Sequence, residues 1–303
     1  MDAVVDILGP EWTARTLPLR ADGRDPDPVA TLVGRAPTQR RAVLYLHGFV
    51  DYFFHPHVAD ALADAADVYG LDLRDYGRSI RPGREPNFTT DLSVYAEEID
   101  AAYRLLRQDH DEIVLLGHST GGLIAALWAD ARPGLLAGVV LNSPWLDLRG
   151  SWAERVPLTR VLDVVGRAAP NLVVSHLGEH YGTALHEQWG YDLAWKPLRG
   201  FPVRAGFVRT VRQGHARVAR GLDIDCPVLV LTSDASGPDD RFHDHVLTTD
   251  SVLDVEQMAA RAPLLGPDVT LRRVPGGAHD LALSPEPARG QYLDAVRAFL
   301  HRL

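Results

Sequence analysis

Lysine and cysteine are nearly missing from this chain. Lys196 is the one lysine among 31 basic residues, and Cys226 is the one cysteine. A single cysteine excludes an intrachain disulfide, and with it a small disulfide-stapled scaffold; it fits a reducing cytosol. Basic charge is short overall, with 31 Lys and Arg against 40 Asp and Glu and a net charge of −9. Nucleic-acid binding needs clustered Lys and Arg to neutralise phosphates, so that class is disfavoured. Long apolar runs are also missing. The longest, such as Leu123 to Ala129, suit a helix core and are too short to cross a bilayer. The opening MDAVVDILGPEW carries acid where a secretory signal carries base, so a cytoplasmic location is expected. Internal repeats and low-complexity tracts are lacking as well.

What is present is an ordinary globular composition, 46% hydrophobic and 23% charged over 303 residues. That length holds one large core or a domain with an insertion. Short β-branched runs recur at Ala42–Leu46, Val68–Leu71, Ile113–Leu116, Val139–Leu141, Val228–Leu231 and Val269–Leu271. Each predicts a buried strand. Helical faces lie between them, as in Leu92, Tyr95, Ile99, Tyr103 and Leu106, and again in Tyr292, Ala295, Val296, Phe299 and Leu300. Strands alternating with helices predict an α/β fold, a mostly parallel sheet covered on both faces. Trp12–Leu19 and Val29–Val33 read as antiparallel edge strands. The alternation breaks between about Trp145 and Leu222. That stretch is rich in aromatics, lacks a buried-strand pattern, and is helical near Val161–Val165 and Val208–Val218.

Chemistry concentrates at three points. The run Ile113–Leu116 passes straight into Gly117-His118-Ser119-Thr120-Gly121, and an apolar helix follows. A serine on a tight strand-to-helix turn is lifted clear of the sheet at a helix N-terminus, where free N–H groups favour developing negative charge. The glycines are needed because side chains at Gly117 and Gly121 would meet neighbouring backbone. Ser119 is therefore the candidate nucleophile. His47-Gly48-Phe49 ends an earlier strand, and the backbone N–H groups of Phe49 and Thr120 are the candidate oxyanion hole. His47 itself is read as structural. The last strand leads through Gly276-Gly277 to His279, the candidate base.

With these motifs in view, the chain resembles the α/β-hydrolases, in particular the branch of monoacylglycerol lipases, lysophospholipases and serine aminopeptidase-like proteins. The anchors are His47-Gly48-Phe49, the Asp72–Ser79 turn, Gly117–Gly122 and Gly277–Asp280. The resemblance implies a core of residues 1–144 and 223–303, with a helical cap at 145–222 inserted after the sixth strand. The aromatics of that cap, Trp152 and Trp189 included, are expected to shape the acyl pocket. It also implies a Ser-His-Asp triad and hydrolysis of a small-molecule carboxylic ester with an apolar acyl or aryl group. Amide hydrolysis, acyl transfer and a ligand receptor on the same fold are the alternatives. No cofactor is expected.

The acid departs from the family pattern. Its customary slot after the Val228–Leu231 strand falls near Ser236, which is not an acid. In this fold one helix and one strand separate acid from histidine. About 12 and 6 residues for these, with three connections of roughly 4 each, give about 30. Asp250 lies 29 residues before His279, and Asp234 lies 45 before it. Asp250 is thus the expected acid, Asp234 the runner-up, and residues 235–249 an inserted loop. Val252, Val255, Met258 and Ala259 predict a helix from Ser251, which Asp250 could simply cap. His243 and His245 within the loop have zinc-ligand spacing but no third partner, so a solvated loop is expected instead.

Overall fold

The computed structural model describes residues 3–149, 161 and 163–303. The main strands are β1 (Ala3–Asp6), β2 (Gly9–Pro18), β3 (Val29–Gly34), β4 (Arg41–Leu46), β5 (Asp67–Asp72), β6 (Glu112–His118) and β7 (Gly138–Asn142). Two short strands, β8 (Val173–Ser175) and β9 (Val203–Arg204), pair only with each other. They are followed by β10 (Val228–Ser233) and β11 (Val269–Val274). Nine strands form one sheet in the order β1-β2-β3-β5-β4-β6-β7-β10-β11. From β5 to β11 every pairing is parallel, while β1, β2 and β3 join antiparallel at one edge. This is the α/β-hydrolase fold.

The expected strands all form, but β11 is not the buried strand expected at Val269–Leu271: it is the last strand of the sheet, and Leu271, Arg272 and Arg273 are exposed. β1 is additional: it lies at the sheet edge with Val4 and Val5 exposed, so it has no buried face to mark it in the sequence. The strand before the aromatic-rich insertion is thus the seventh in the chain, not the sixth. The central strands bury both faces, and alternation along them explains the two cores. Ala42, Leu44 and Leu46 of β4 join Ile113 and Leu115 of β6 in one apolar cluster. Val43 and Tyr45 join Val114 and Leu116 in the other.

Helix α1 (Pro56–Leu62) packs on the second face; α2 (Tyr95–Leu106) and α3 (Thr120–Asp130) pack on the first. Within the 145–222 segment lie α4 (Glu179–Trp189) and α5 (Ala205–Ala219). Phe207, Val211 and Val218 of α5 enter the same cluster as α2 and α3. Gly214 permits that approach, since a Cβ there would lie 3.1 Å from Leu127. Helix α6 is Val255–Arg261 and α7 is Ala288–Leu300, which covers the second face through Tyr292, Val296 and Phe299. Among the described residues no helix is long and apolar enough to cross a membrane.

Candidate active site

The C-terminal ends of the parallel strands converge on one place, as expected for ligand sites in open α/β sheets. Ser119 stands between β6 and α3 with φ 52° and ψ −115°, a conformation that L residues rarely adopt. The turn is held by its backbone: the Ser119 N–H donates to Asn142 O at 3.0 Å, and Ser119 O accepts from Trp145 N at 2.9 Å. The glycines are required by contact. A Cβ on Gly117 would lie 2.5 Å from Gly121 O, and one on Gly121 would lie 2.3 Å from His47 O.

His279 follows β11. Its Nε2 lies 3.0 Å from Ser119 Oγ and its Nδ1 lies 2.9 Å from Asp250 Oδ2. All three side chains are buried. Asp250 thus reaches the imidazole from the far side of the long loop. The chain leaves β10, and Ser236 forms a parallel bridge with Asp250. Gly237 N donates to Asp250 O and Asp250 N to Ala235 O, both at 2.8 Å. The insertion therefore closes on itself at a neck. It returns Asp250 beside Ser236, the customary position of the acid. The other carboxylate oxygen, Oδ1, accepts the N–H groups of Val252 and Leu253 at 3.0 and 2.7 Å. Asp250 caps a turn in that way, but not the expected helix from Ser251. The helix begins at Val255, and Asp254 caps it by accepting from Glu256 N.

Asp234, the runner-up, is not placed on the imidazole. Its Oδ1 accepts the Gly276 N–H at 2.9 Å and so fixes the glycine turn that precedes His279. His243 and His245 are not brought together as ligands. His243 Nε2 pairs with Ser251 Oγ at 3.1 Å, and His245 Nδ1 lies 3.4 Å from Thr248 Oγ1.

The Phe49 turn lies against the serine. A Cβ on Gly48 would lie 3.2 Å from Ser119 Cβ. Among the described residues no group takes the backbone N–H of Phe49 or Thr120, so both remain available to a carbonyl oxygen. His47 is structural as expected: its Nδ1–H donates to Gly48 O at 2.8 Å and its Nε2 accepts from Leu73 N at 3.1 Å. Burial lowers its pKa, which keeps the ring neutral for that pair of bonds.

Several neighbours carry weight that the sequence did not announce. Asn142 Nδ2 donates to Asp280 Oδ1 at 2.8 Å, and Asn142 Oδ1 accepts from Leu281 N at 3.2 Å. The end of β7 thereby pins the loop that carries His279. Tyr181 of α4 places its ring edge-on to His279, with centroids 6.1 Å apart, and its hydroxyl accepts the Asp280 N–H at 3.0 Å. His118 packs 4.9 Å from the His279 ring and is lowered by burial to about 4, so it is neutral near pH 7. Asp280 is held well below the usual carboxylate range despite its burial by His118, His55 and Lys196. Asn142, His118 and Asp280 offer as local signal only a polar residue at a strand end or beside a motif, and Tyr181, inside α4, offers none.

A cavity of about 630 Å³ opens over Ser119. That size suits a small-molecule ligand. Phe49, Trp145, Leu148, Leu177, Leu198 and Phe207 supply apolar walls, and Pro238 and Val246 bring the long loop to the same space. Trp189 does not line it. Its Nε1 donates to Leu283 O at 3.0 Å and its ring packs on His57, so it fastens α4 to the core. This corrects the expectation that Trp189 shapes the acyl pocket. Trp152 lies outside the described residues.

Comparison with known proteins agrees with this geometry. The family model for serine aminopeptidase, S33, matches residues 37–286. A monoacylglycerol lipase of Mycolicibacterium smegmatis is 27% identical over 253 residues, covering 82% of this chain and 84% of its own. The solved monoacylglycerol lipase of Paleococcus ferrophilus superposes with a TM-score of 0.67 at 21% identity, covering 96% of this chain and 98% of that one. A soluble variant of the Saccharomyces cerevisiae monoglyceride lipase, bound to a substrate analogue, gives 0.70 at 18% identity and 95% coverage of both chains. With its strained serine, its buried His279 and an S33 match spanning most of its length, this chain belongs to the serine aminopeptidase S33 family of α/β-hydrolases.

Proposed function

We propose that the protein is a serine hydrolase of carboxylic esters with an apolar acyl group, of the monoacylglycerol type. The observation that carries this reading is the Ser119–His279–Asp250 hydrogen-bonded chain at the floor of an apolar cavity. In this reading Ser119 Oγ attacks the ester carbonyl while His279 Nε2 takes its proton. Asp250 keeps the proton on Nδ1, so that Nε2 is free to accept. The Phe49 and Thr120 N–H groups receive the oxyanion. His279 returns the proton to the leaving alcohol, and water then hydrolyses the acyl-enzyme by the same steps.

Residues 145–222 act as the cap in this reading, because Trp145, Leu177, Tyr181 and Phe207 from that segment face the serine. A free-amine substrate would need a buried carboxylate with no cation. Among the described residues the buried carboxylate on the cavity wall is Asp51, and it is already held by Lys196 at 2.6 Å. That observation favours esters over aminoacyl amides. A cytoplasmic location is part of this reading, and the single cysteine, which can form no intrachain disulfide, fits it.

A p-nitrophenyl ester series of rising chain length, a monoacylglycerol and an aminoacyl-anilide series test the reading together. Turnover is expected on the esters, with a preference for longer chains, and is expected to vanish in Ser119→Ala. Faster cleavage of the anilides, or ester turnover that survives in Ser119→Ala, would refute it.

A further inference from the structure

We propose that Lys196 is a positioning residue for the oxyanion turn: it neutralises Asp51, so that this carboxylate can hold the Gly48–Phe49 turn without opposing the charge that develops on the substrate carbonyl. The inference rests on the ester-hydrolase reading above. Lys196 lies between α4 and β9, and its ammonium meets Asp51 Oδ1 at 2.6 Å. The pair is sequestered, the two side chains being 13% and 2% exposed. The ammonium also lies 5.2 Å from the ring centres of both Phe54 and Tyr191. A chain that otherwise uses arginine for every basic side chain keeps lysine here. A compact ammonium fits one short contact between two rings; a planar guanidinium fork does not.

Asp51 is tied to the turn itself. Its Oδ2 accepts the Gly48 N–H at 3.3 Å. Val50, with φ 50°, donates its N–H to Asn87 Oδ1 at 2.9 Å. The Phe49 N–H is thus flanked by two anchored amides. The charges around Asp51 come from several elements. His47 and His55 face it from its own loop, His118 from the end of β6, Asp280 from the loop after His279, and Lys196 from the insertion. The ligand atoms of Asp51, His118 and Asp280 lie within 4.8 Å of one another. Burial keeps His47 and His118 neutral, and Asp280 is ionised. Among the described residues Lys196 is therefore the permanent cation in contact with Asp51. Against the opposing effect of burial, it is the largest of the charges, ahead of His118, His55 and His47, that hold the Asp51 pKa below the ordinary value. Without it burial prevails, and any ionised Asp51 places a bare negative charge beside the oxyanion site.

The test compares wild type, Lys196→Met and the double variant Asp51→Asn/Lys196→Met. Two rates are read between about pH 5 and 9: ester turnover, and fluorophosphonate labelling of Ser119, which needs no knowledge of the substrate. Lys196→Met is expected to lose kcat roughly 10–100-fold with KM within about twofold, less than the 10²–10³ cost of removing an oxyanion donor outright. Its deficit relative to wild type should shrink at acid pH, as Asp51 becomes protonated. The double variant should regain most of the lost rate, because Asn can still accept the Gly48 N–H. The proposal is overturned by a wild-type kcat in Lys196→Met, by a deficit that does not change with pH, or by a double variant as slow as the single one. Should the single variant not fold, the double variant decides: a near-wild-type labelling rate supports neutralisation, and a slow one refutes it. Wild type that labels but turns over no ester would refute the ester reading alone, while the labelling rates still judge Lys196.

Discussion

Asp250 shows how one carboxylate can serve two duties, one with each oxygen. Oδ2 faces His279 Nδ1, while Oδ1 takes two backbone N–H groups of the following turn. The second duty fixes the side chain that performs the first. Asp250→Asn removes the charge and presents an amide to the imidazole, which favours the wrong tautomer. Turnover is expected to fall by roughly 10⁴ in kcat. Asp234→Asn changes a single bond, to the Gly276 N–H. Its cost is expected to be about 1 kcal/mol of stability with kcat within a few-fold. Steady-state kinetics and denaturant titration on both variants check the pair. A large kcat loss in Asp234→Asn with Asp250→Asn unaffected would reverse the assignment.

At the scale of elements, the loop of residues 237–249 is a device that moves an acid without moving its position in space. The bridge between Ser236 and Asp250 closes its neck. From that neck the loop reaches toward the insertion: Arg149 Nη2 donates to Gly237 O at 2.5 Å, and the rings of Phe242 and His180 meet. Replacing residues 239–248 by a short glycine-containing link should keep the Asp250–His279 contact but remove one wall of the cavity. Chain-length preference is expected to broaden while short-ester kcat stays within about tenfold, the effect of a shape change distinct from losing the acid. Loss of all turnover in a folded variant would show that the neck cannot hold Asp250 by itself. The legibility of these elements follows from their range. Ser119 can be read because it ends a buried strand with glycines that the local backbone demands, and His279 because a glycine turn leads to it from the last strand, although that strand lies exposed at the sheet edge. Asp250 could be read by counting residues between elements of known length. Lys196 and Asp51 could not, because they are 145 residues apart and meet only when the insertion docks. The place of Trp189 is illegible for the same reason: an aromatic in an insertion looks alike in sequence whether it faces the cavity or fastens α4 to the core.

For the molecule as a whole, the fold carries a set of neutral histidines that acid must charge. Burial lowers His118 and His57 to about 4 and His215 to about 3, from an ordinary 6.5. His215 shows why the neutral ring is needed. Its Nε2–H donates to Trp145 O at 2.8 Å, and its Nδ1 lies 3.0 Å from Arg212 Nη1, which can only donate. A protonated ring would lose that acceptor and face a guanidinium instead. The unfolded chain binds these protons near pH 6.5, and the folded chain binds them only near 4 or below. Folding stability is therefore fully present above about pH 6.5 and falls as pH drops toward the folded values. A gap of 2.5 pKa units, as at His118, is worth at most about 3 kcal/mol, and the wider gap at His215 at most about 5 kcal/mol. The half-buried His57 contributes less. This window opens above the ordinary carboxylate range; the exception is Glu98, which burial raises to about 7, so that it binds its proton in the folded state first and offsets part of the histidine loss. Urea titrations between about pH 8 and 4 should show stability declining from near 6.5. His215→Gln, whose amide can donate to Trp145 O and accept from Arg212, should be the less acid-sensitive protein, with a shallower slope across the same range. An unchanged slope in that variant, or a wild-type profile that stays flat down to pH 4, would remove buried histidine charging as the cause of acid instability.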